Sequence, residues 1–319
     1  MDKKFTFNWD KIANTIKEQE EKTSHKKTID IRFFKPKRKE DGTGDYVIRF
    51  LPSIDTDLPI ITKYFHNFEI GKKYFMHDCP VTIGEKCPID DYASEQWNSG
   101  TDKDTQDYAK KFWKKNTYIS NILIVRDEQH QENEGKVFLW EFGKQIFDKI
   151  EAQKAKIIKR GGSAVDAVKK IFDYYEGTNF GVTIKTKTIP SWNGAGNVDV
   201  PNYEDSAFED SAVIGNDEFI EKIHNALYKL SEFVDVKKFK SYAELKMELD
   251  KFLIKIGRIK DTNEAKSGLN EALKESNDKA MKVLTVETPI VDNKPETSIE
   301  VPDLNIIDDD DEFIRSLGN

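Results

Sequence analysis

Short segments in which apolar and polar residues alternate with a period of two constrain this chain more than any other feature. Tyr46–Leu51 alternates and stops at Pro52, and Phe180–Ile189 alternates over a longer run. Ile60–Phe68, Tyr118–Val125 and Lys136–Phe142 read as three further strands, the last two flanking a loop, Arg126–Gly135. Successive side chains of a strand point to opposite faces, so each segment offers one face to a core and one to solvent. In the longest, Thr183, Lys185 and Lys187 share one face and Val182, Ile184 and Thr186 the other. Five or more such strands, interrupted by insertions and followed by helices, predict a small barrel with elaborations. The expected class is mainly β with added helices (α+β).

Helical signals surround this core. Asn8 can cap a helix from Trp9 to about Lys22, with Trp9, Ile12 and Ile16 on one side. Lys26–Gly44 is polar and basic, a linker with one strand at Ile29–Phe34, and Gly71–Asp91 is short and turn-rich. Ser163–Glu176 has a helical pattern with Gly177 placed as its C-terminal cap. Asp217–Val234 is amphipathic, and Ser241 with Glu244 forms a capping box before a helix ending near Ile256. Gly161-Gly162 reads as a linker. Apolar density falls beyond Lys260, and from Thr285 onward Pro289, Pro295 and Pro302 sit among acids, the composition of disorder. The expected division is a helical arm at 1–24, a core at 25–258 with a metal-binding subdomain at about 60–95, and a flexible linker and acidic tail at 259–319.

The formal net charge of −8 argues against an anionic partner until it is divided along the chain. Ten acids and two bases lie from Thr285 to the end, a local −8, so residues 1–284 balance at zero. Residues 1–40 hold twelve Lys/Arg and seven Asp/Glu. The chain is polarised, with a basic start and an acidic end. No stretch has the pattern of a signal peptide or the length of a membrane span, which predicts a soluble cytoplasmic protein with no membrane partner.

Two groups of residues carry chemistry. The first is Lys110-Lys111-Phe112-Trp113-Lys114-Lys115-Asn116-Thr117-Tyr118, four lysines interleaved with three aromatics. Lysines neutralise phosphates and release counterions. Aromatic faces stack on unpaired bases, worth about 1–3 kcal/mol per base. Trp140, Phe180 and Tyr203 on other strands, with Arg49, Lys144, Lys185 and Lys187 near them, extend the same chemistry. The competing explanation is that aromatics fill the barrel while lysines solvate it. Within 110–118 that explanation is the weaker, because adjacent aromatics cannot all face inward on one strand.

The second group is His66, Cys79, Cys87 and Asp90. Cys87-Pro88-Ile89-Asp90 has the two-residue spacing of a zinc knuckle, and His66 and Cys79 would close a tetrahedron, with His77 a rival for one position. Two buried thiols beside an exposed aspartate is the alternative. A zinc ion here would be structural, since no nearby acid–base pair suggests an activated water. Phosphate-cradling loops, Gly-x-Ser-x-Gly elbows and His-Glu-x-x-His helices are missing from the sequence, so no catalysis is expected.

Val47-Ile48-Arg49-Phe50-Leu51-Pro52-Ser53 is one marker of a resemblance. The longer marker is Ser120-Asn121-Ile122-Leu123-Ile124-Val125-Arg126-Asp127, continuing through Glu132–Phe138 to Phe142-Gly143-Lys144 and Asp148-Lys149-Ile150. Both resemble the single-stranded DNA-binding (helix-destabilising) protein of T-even-like tailed bacteriophages over roughly residues 1–255. The resemblance implies an OB-fold barrel, a zinc subdomain, an N-terminal cooperativity arm and a protein-recruiting acidic tail. It places the arm's basic cluster at Lys3, Lys4 and Thr6, with a similar cluster at Lys114, Lys115 and Thr117. It carries stacking positions to Tyr118, Trp140, Phe180 and Tyr203, and one structural zinc ion to His66, Cys79, Cys87 and Asp90, where the family's fourth ligand is cysteine. It implies self-association along single-stranded DNA in the infected bacterial host's cytoplasm. Phage replication and recombination proteins would bind the tail at Asp308, Asp309, Asp310, Asp311, Glu312 and Phe313. Two other classes stay open: a zinc-dependent nucleic-acid enzyme, and a structural or scaffolding protein without a DNA role.

Overall fold

The computed structural model describes residues 30–191 and 196–259. The expected arm helix with Lys3, Lys4 and Thr6 lies outside them, as does the tail with Asp308, Asp309, Asp310, Asp311, Glu312 and Phe313. The chain divides into two units, Met1–Phe33 and Phe34–Asn319. Of the first, residues 30–33 are described, opening with a turn in which Asp30 accepts hydrogen bonds from Arg32.

The strands are β1 (Phe33–Phe34), β2 (Gly44–Phe50), β3 (Ile60–Ile70), β4 (Lys73–Asp78), β5 (Lys115–Asp127), β6 (Val137–Phe142), β7 (Thr178–Pro190), β8 (Asn197–Asn202) and β9 (Ala207–Ser211). The helices are α1 (Pro88–Asn98), α2 (Lys103–Lys110), α3 (Lys144–Lys159), α4 (Ala164–Phe172), α5 (Asp217–Asn225) and α6 (Tyr242–Lys255). One sheet with added helices makes the described residues α+β, as expected. The pairings among β2–β9 are all antiparallel.

β5 is the spine. Its first half pairs with β3, Lys115 opposite Phe65 through Ser120 opposite Ile60, and its second half pairs with β2. β6 lies along its other edge. β7 borders β2 and β9 and then runs on as a ribbon with β8. Alternation on β2 sends Tyr46, Ile48 and Phe50 into a large aromatic cluster with Tyr118, Trp140, Phe142 and Phe180. Phe50 sits at its centre, 5.7 Å from the Phe142 and Phe180 rings and 6.0 Å from Trp140.

A second apolar cluster forms apart from the sheet's main core. Phe68 and Phe75 of the β3–β4 hairpin, Cys79, Cys87, Ile89 and Phe112 pack there with Leu245, Leu249, Phe252 and Leu253 of α6. The segment expected at about 60–95 is therefore closed by a helix from beyond residue 240, and it has an apolar interior that the polar sequence around the cysteines conceals.

Several boundaries move for identifiable reasons. Gly71–Asp91 is not all turn: β4 returns along β3, and α1 begins at Pro88, with proline in the first turn and Asp90 and Asp91 following. The helices α1, α2 and α3 have no counterpart among the expected elements. α4 has the expected start, a capping box between Ser163 and Asp166, but stops at Asp173 rather than Gly177. There the Asp173 carboxylate accepts hydrogen bonds from the Tyr175 and Glu176 amides, which ends the helical ladder. The expected Asp217–Val234 helix stops at Asn225. Beyond it, Asn121 and Asp55 side chains capture the Tyr228 and Leu230 amides. The Ser241–Glu244 capping box forms as read.

The Phe252 ring meets Phe68 and Phe75 edge-on, each at 5.4 Å. Phe252→Ala should lower unfolding free energy by about 3–5 kcal/mol, read from the urea midpoint. A loss below about 1 kcal/mol would mean that α6 only rests against the cluster.

Candidate functional site

His66, Cys79, Cys87 and Asp90 come together, their ligand atoms all within 4.8 Å of one another. Local structure explains the meeting. Cys87 is the N-cap residue of α1 and Asp90 lies in its first turn, so one helix start presents both. Cys79 follows β4, whose hairpin with β3 brings it beside His66. His66 is fully buried. Its Nδ1–H donates to the Phe112 carbonyl at 2.9 Å, which fixes the tautomer and turns the Nε2 lone pair toward the cysteines.

Three of the separations approach the edges of a four-coordinate site. Nε2 lies 3.2 Å from Cys87 Sγ and 3.8 Å from Asp90 Oδ1, and Cys79 Sγ lies 3.9 Å from Asp90 Oδ2. A tetrahedral ion with bonds of about 2.0–2.3 Å has edges of roughly 3.3–3.8 Å. A hydrogen bond from Cys79 draws the Cys87 thiol down to about 5 against its burial, and His66 assists. The same bond, then burial, raises Cys79. Lys114 Nζ sits 3.0 Å from Asp90 Oδ2, leaving Oδ1 toward His66. Burial pulls the Lys114 ammonium down, but the Asp90 carboxylate more than offsets this and its pKa is raised. His77, the rival ligand, stands opposite His66 in the β3–β4 ladder and packs on Phe75, outside the four-residue group.

The lysine–aromatic run divides between the two apolar clusters. Lys110 ends α2, Lys111 to Lys114 form the connection, and Lys115 starts β5. Phe112 is fully buried in the second cluster, ringed by Phe68, Tyr92 and Tyr108 at 4.7–5.1 Å. Trp113 is half-buried, its ring 5.3 Å from that of Trp97, a neighbour the sequence did not suggest. Tyr118 stacks face to face on Phe147 at 3.9 Å, and burial pushes its phenol up to about 12 against a hydrogen bond from Asn116.

A second grouping forms around the start of α3. Lys144 is its first residue, and Tyr118 packs on Phe147 one turn further on. The Tyr203 amide donates to Gln145 Oε1 at 2.9 Å. Lys185 and Lys187 lie exposed on the β7–β8 ribbon beside Asn202.

Arg49, Trp140 and Phe180 do not join either grouping at the surface. All three are buried, as is Tyr118, so the expectation that these four present themselves to a strand's phosphates or bases is corrected by their burial. Trp140 and Phe180 belong to the aromatic core. The Arg49 guanidinium lies against Gly177, donates to the Ala212 carbonyl, and leaves Nε and Nη1 without hydrogen-bond partners among the described residues. Burial lowers it to about 10, with the Asp173 carboxylate opposing. Alternation on β2 gave it a face, but not what covers that face.

Among the described residues no helix is long and apolar enough to cross a membrane. A family model described as "gp32 DNA binding protein like" matches residues 42–253, which contain every residue of both groupings. The "Single-stranded DNA-binding protein" of Enterobacteria phage T2 and that of Enterobacteria phage T4 are each 34% identical to this chain over 210 residues. The match covers 64% of this chain and 64% of each relative's length.

Arg49→Met should keep its unfolding free energy within about 1 kcal/mol of the wild type or raise it, since an apolar side chain of similar length removes two buried nitrogens without hydrogen-bond partners. A loss of about 3–5 kcal/mol in chemical denaturation would instead mark a well-compensated cation.

Proposed function

The chain belongs to the family described as gp32 DNA binding protein like, and from that premise we propose that it binds single-stranded DNA cooperatively, without base-sequence preference and without catalysis. The family match, which spans both the cysteine–histidine group and the lysines around α3, is the observation that carries this reading. Both relatives are named for binding rather than for a reaction.

The mechanism is charge neutralisation with stacking. Lys110, Lys111, Lys114, Lys115, Lys144, Lys185 and Lys187 collect phosphates, and Trp113 and Tyr203 offer ring edges and faces to bases. Duplex hides base faces, so this chemistry favours the unpaired strand. The sheet with its shared strand β5 supports an OB-fold barrel. Trp140 and Phe180 form the floor beneath the groove, and Arg49 ties β2 to the segment around Ala212.

His66, Cys79, Cys87 and Asp90 hold one structural zinc ion. Four protein donors leave no open position for a substrate, which separates this centre from a catalytic one. The ion, where bound, adds a cross-link between hairpin and helix, and Lys114 orients Asp90 from outside. The arm, with Lys3, Lys4 and Thr6, serves self-association along DNA. Asp308 to Asp311, Glu312 and Phe313 of the tail serve phage replication and recombination proteins. The setting is the cytoplasm of the infected bacterial host.

Titration with poly(dT) at several salt concentrations tests the function. Affinity should fall linearly on a log–log plot against salt, and Lys110→Ala with Lys111→Ala should make that slope shallower by roughly 0.7 per lost contact. Affinity that ignores salt would refute the proposal. Buried Trp140 and Tyr118 make poor probes, because truncating a core ring costs about 3–5 kcal/mol of stability and confounds any loss of binding. For the metal, elemental analysis should find one zinc per chain, and Cys87→Ser should lose it. Equal zinc in both would exclude this ligand set.

A further inference from the structure

The first half of α3 and the β7–β8 ribbon border an open cleft of about 420 Å³, lined by Gln145, Asp148, Lys149, Lys187, Asn202 and Glu204. Lys149 in its lining, and Lys144 and Lys185 beside it, are met by oxygens of the same chain. Lys144 Nζ lies 2.7 Å from Asp148 Oδ2. Lys185 is paired with Asp205, next to the lining Glu204. Lys149 Nζ donates to the Glu204 carbonyl at 2.6 Å. The hydrogen bond from Lys185 holds the Asp205 carboxyl below its usual range. The two walls are tied together by the bond from the Tyr203 amide to Gln145.

We infer that this cleft is a phosphate-binding stretch of the single-strand path, in which Lys149 joins Lys144, Lys185 and Lys187, and that Asp148 and Asp205 occupy their lysines until backbone phosphates displace them. The inference rests on the single-strand reading above and adds Lys149, Asp148 and Asp205 to its residues. A carboxylate and a phosphodiester each carry one negative charge on oxygens that accept from ammonium, so one can replace the other at the same Nζ. Exposed ion pairs contribute little to stability, so the exchange costs little. Asp148 and Asp205 are about half exposed, at 53% and 51% of their side chains. The pairs also hold long lysine side chains in place, which lowers the ordering entropy lost when a phosphate arrives.

Exchange has a measurable signature. A carboxylate released by phosphate gathers a cation from solution, which cancels part of the counterion release from DNA. Each paired lysine then contributes less to the salt slope than an unpaired one.

The test is anisotropy of a fluorescein-labelled dT oligomer with the full chain across a sodium chloride series. Asp148→Asn and Asp205→Asn should each bind about 3- to 10-fold more tightly at low salt, with slopes steeper by up to roughly 0.7. Lys149→Ala should bind about 3- to 10-fold more weakly, with a shallower slope. Thermal unfolding of the three should match the wild type, and if one aspartate variant unfolds early the other decides. Slopes and affinities of both aspartate variants equal to wild type overturn the exchange, and unaltered binding by Lys149→Ala removes the cleft from the path. A wild-type chain without salt-dependent binding refutes the proposed function instead.

Discussion

The hydrogen bond from His66 Nδ1 to the Phe112 carbonyl, 2.9 Å long and buried, is the contact on which the rest depends. It joins β3 to the connection that feeds β5. It also sets the imidazole so that Nε2 faces Cys87, and it sits where Phe112 fills the second apolar cluster. A buried imidazole without that acceptor would leave a donor unpaired or turn the wrong nitrogen toward the thiols. Metal-ligand geometry, apolar packing and the start of the central strand are therefore one arrangement.

β5 carries that arrangement into the sheet. Three residues beyond Phe112, Lys115 opens the strand, and three further on Tyr118 has entered the aromatic core around Phe50. Lys114, between them, turns back to Asp90. A short stretch thus touches the cysteine group, the lysine-bearing surface and the aromatic core.

The run Lys110–Tyr118 also marks the reach of sequence reasoning. Alternation treats 110–118 as one strand, but β5 begins only at Lys115, and Phe112 and Tyr118 are both buried. They fill different apolar clusters, Phe112 the one around the cysteines and Tyr118 the one around Phe50. Arg49 shows the converse: its place on β2 follows from period-two spacing, but its burial is decided by Gly177 and Ala212, far along the chain. The helices α1 to α3 were hidden for a different reason. Charged residues dominate their local pattern, although Pro88 with two aspartates and the Asp102 N-cap were start signals in the sequence.

Residue type and spacing were enough to place the main strands of the core, the capping box at Ser241, the group His66, Cys79, Cys87 and Asp90, and the polarity of charge from basic start to acidic end. These depend on spacing and residue type, which are local. Tertiary structure alone decided that α6 closes the cysteine cluster, that Trp140 and Phe180 lie inside, and that Lys144, Lys149 and Lys185 each meet an oxygen acceptor. Those outcomes depend on which surfaces meet across long sequence separations. Burial and ion pairing are properties of such meetings, and no window of the chain contains them.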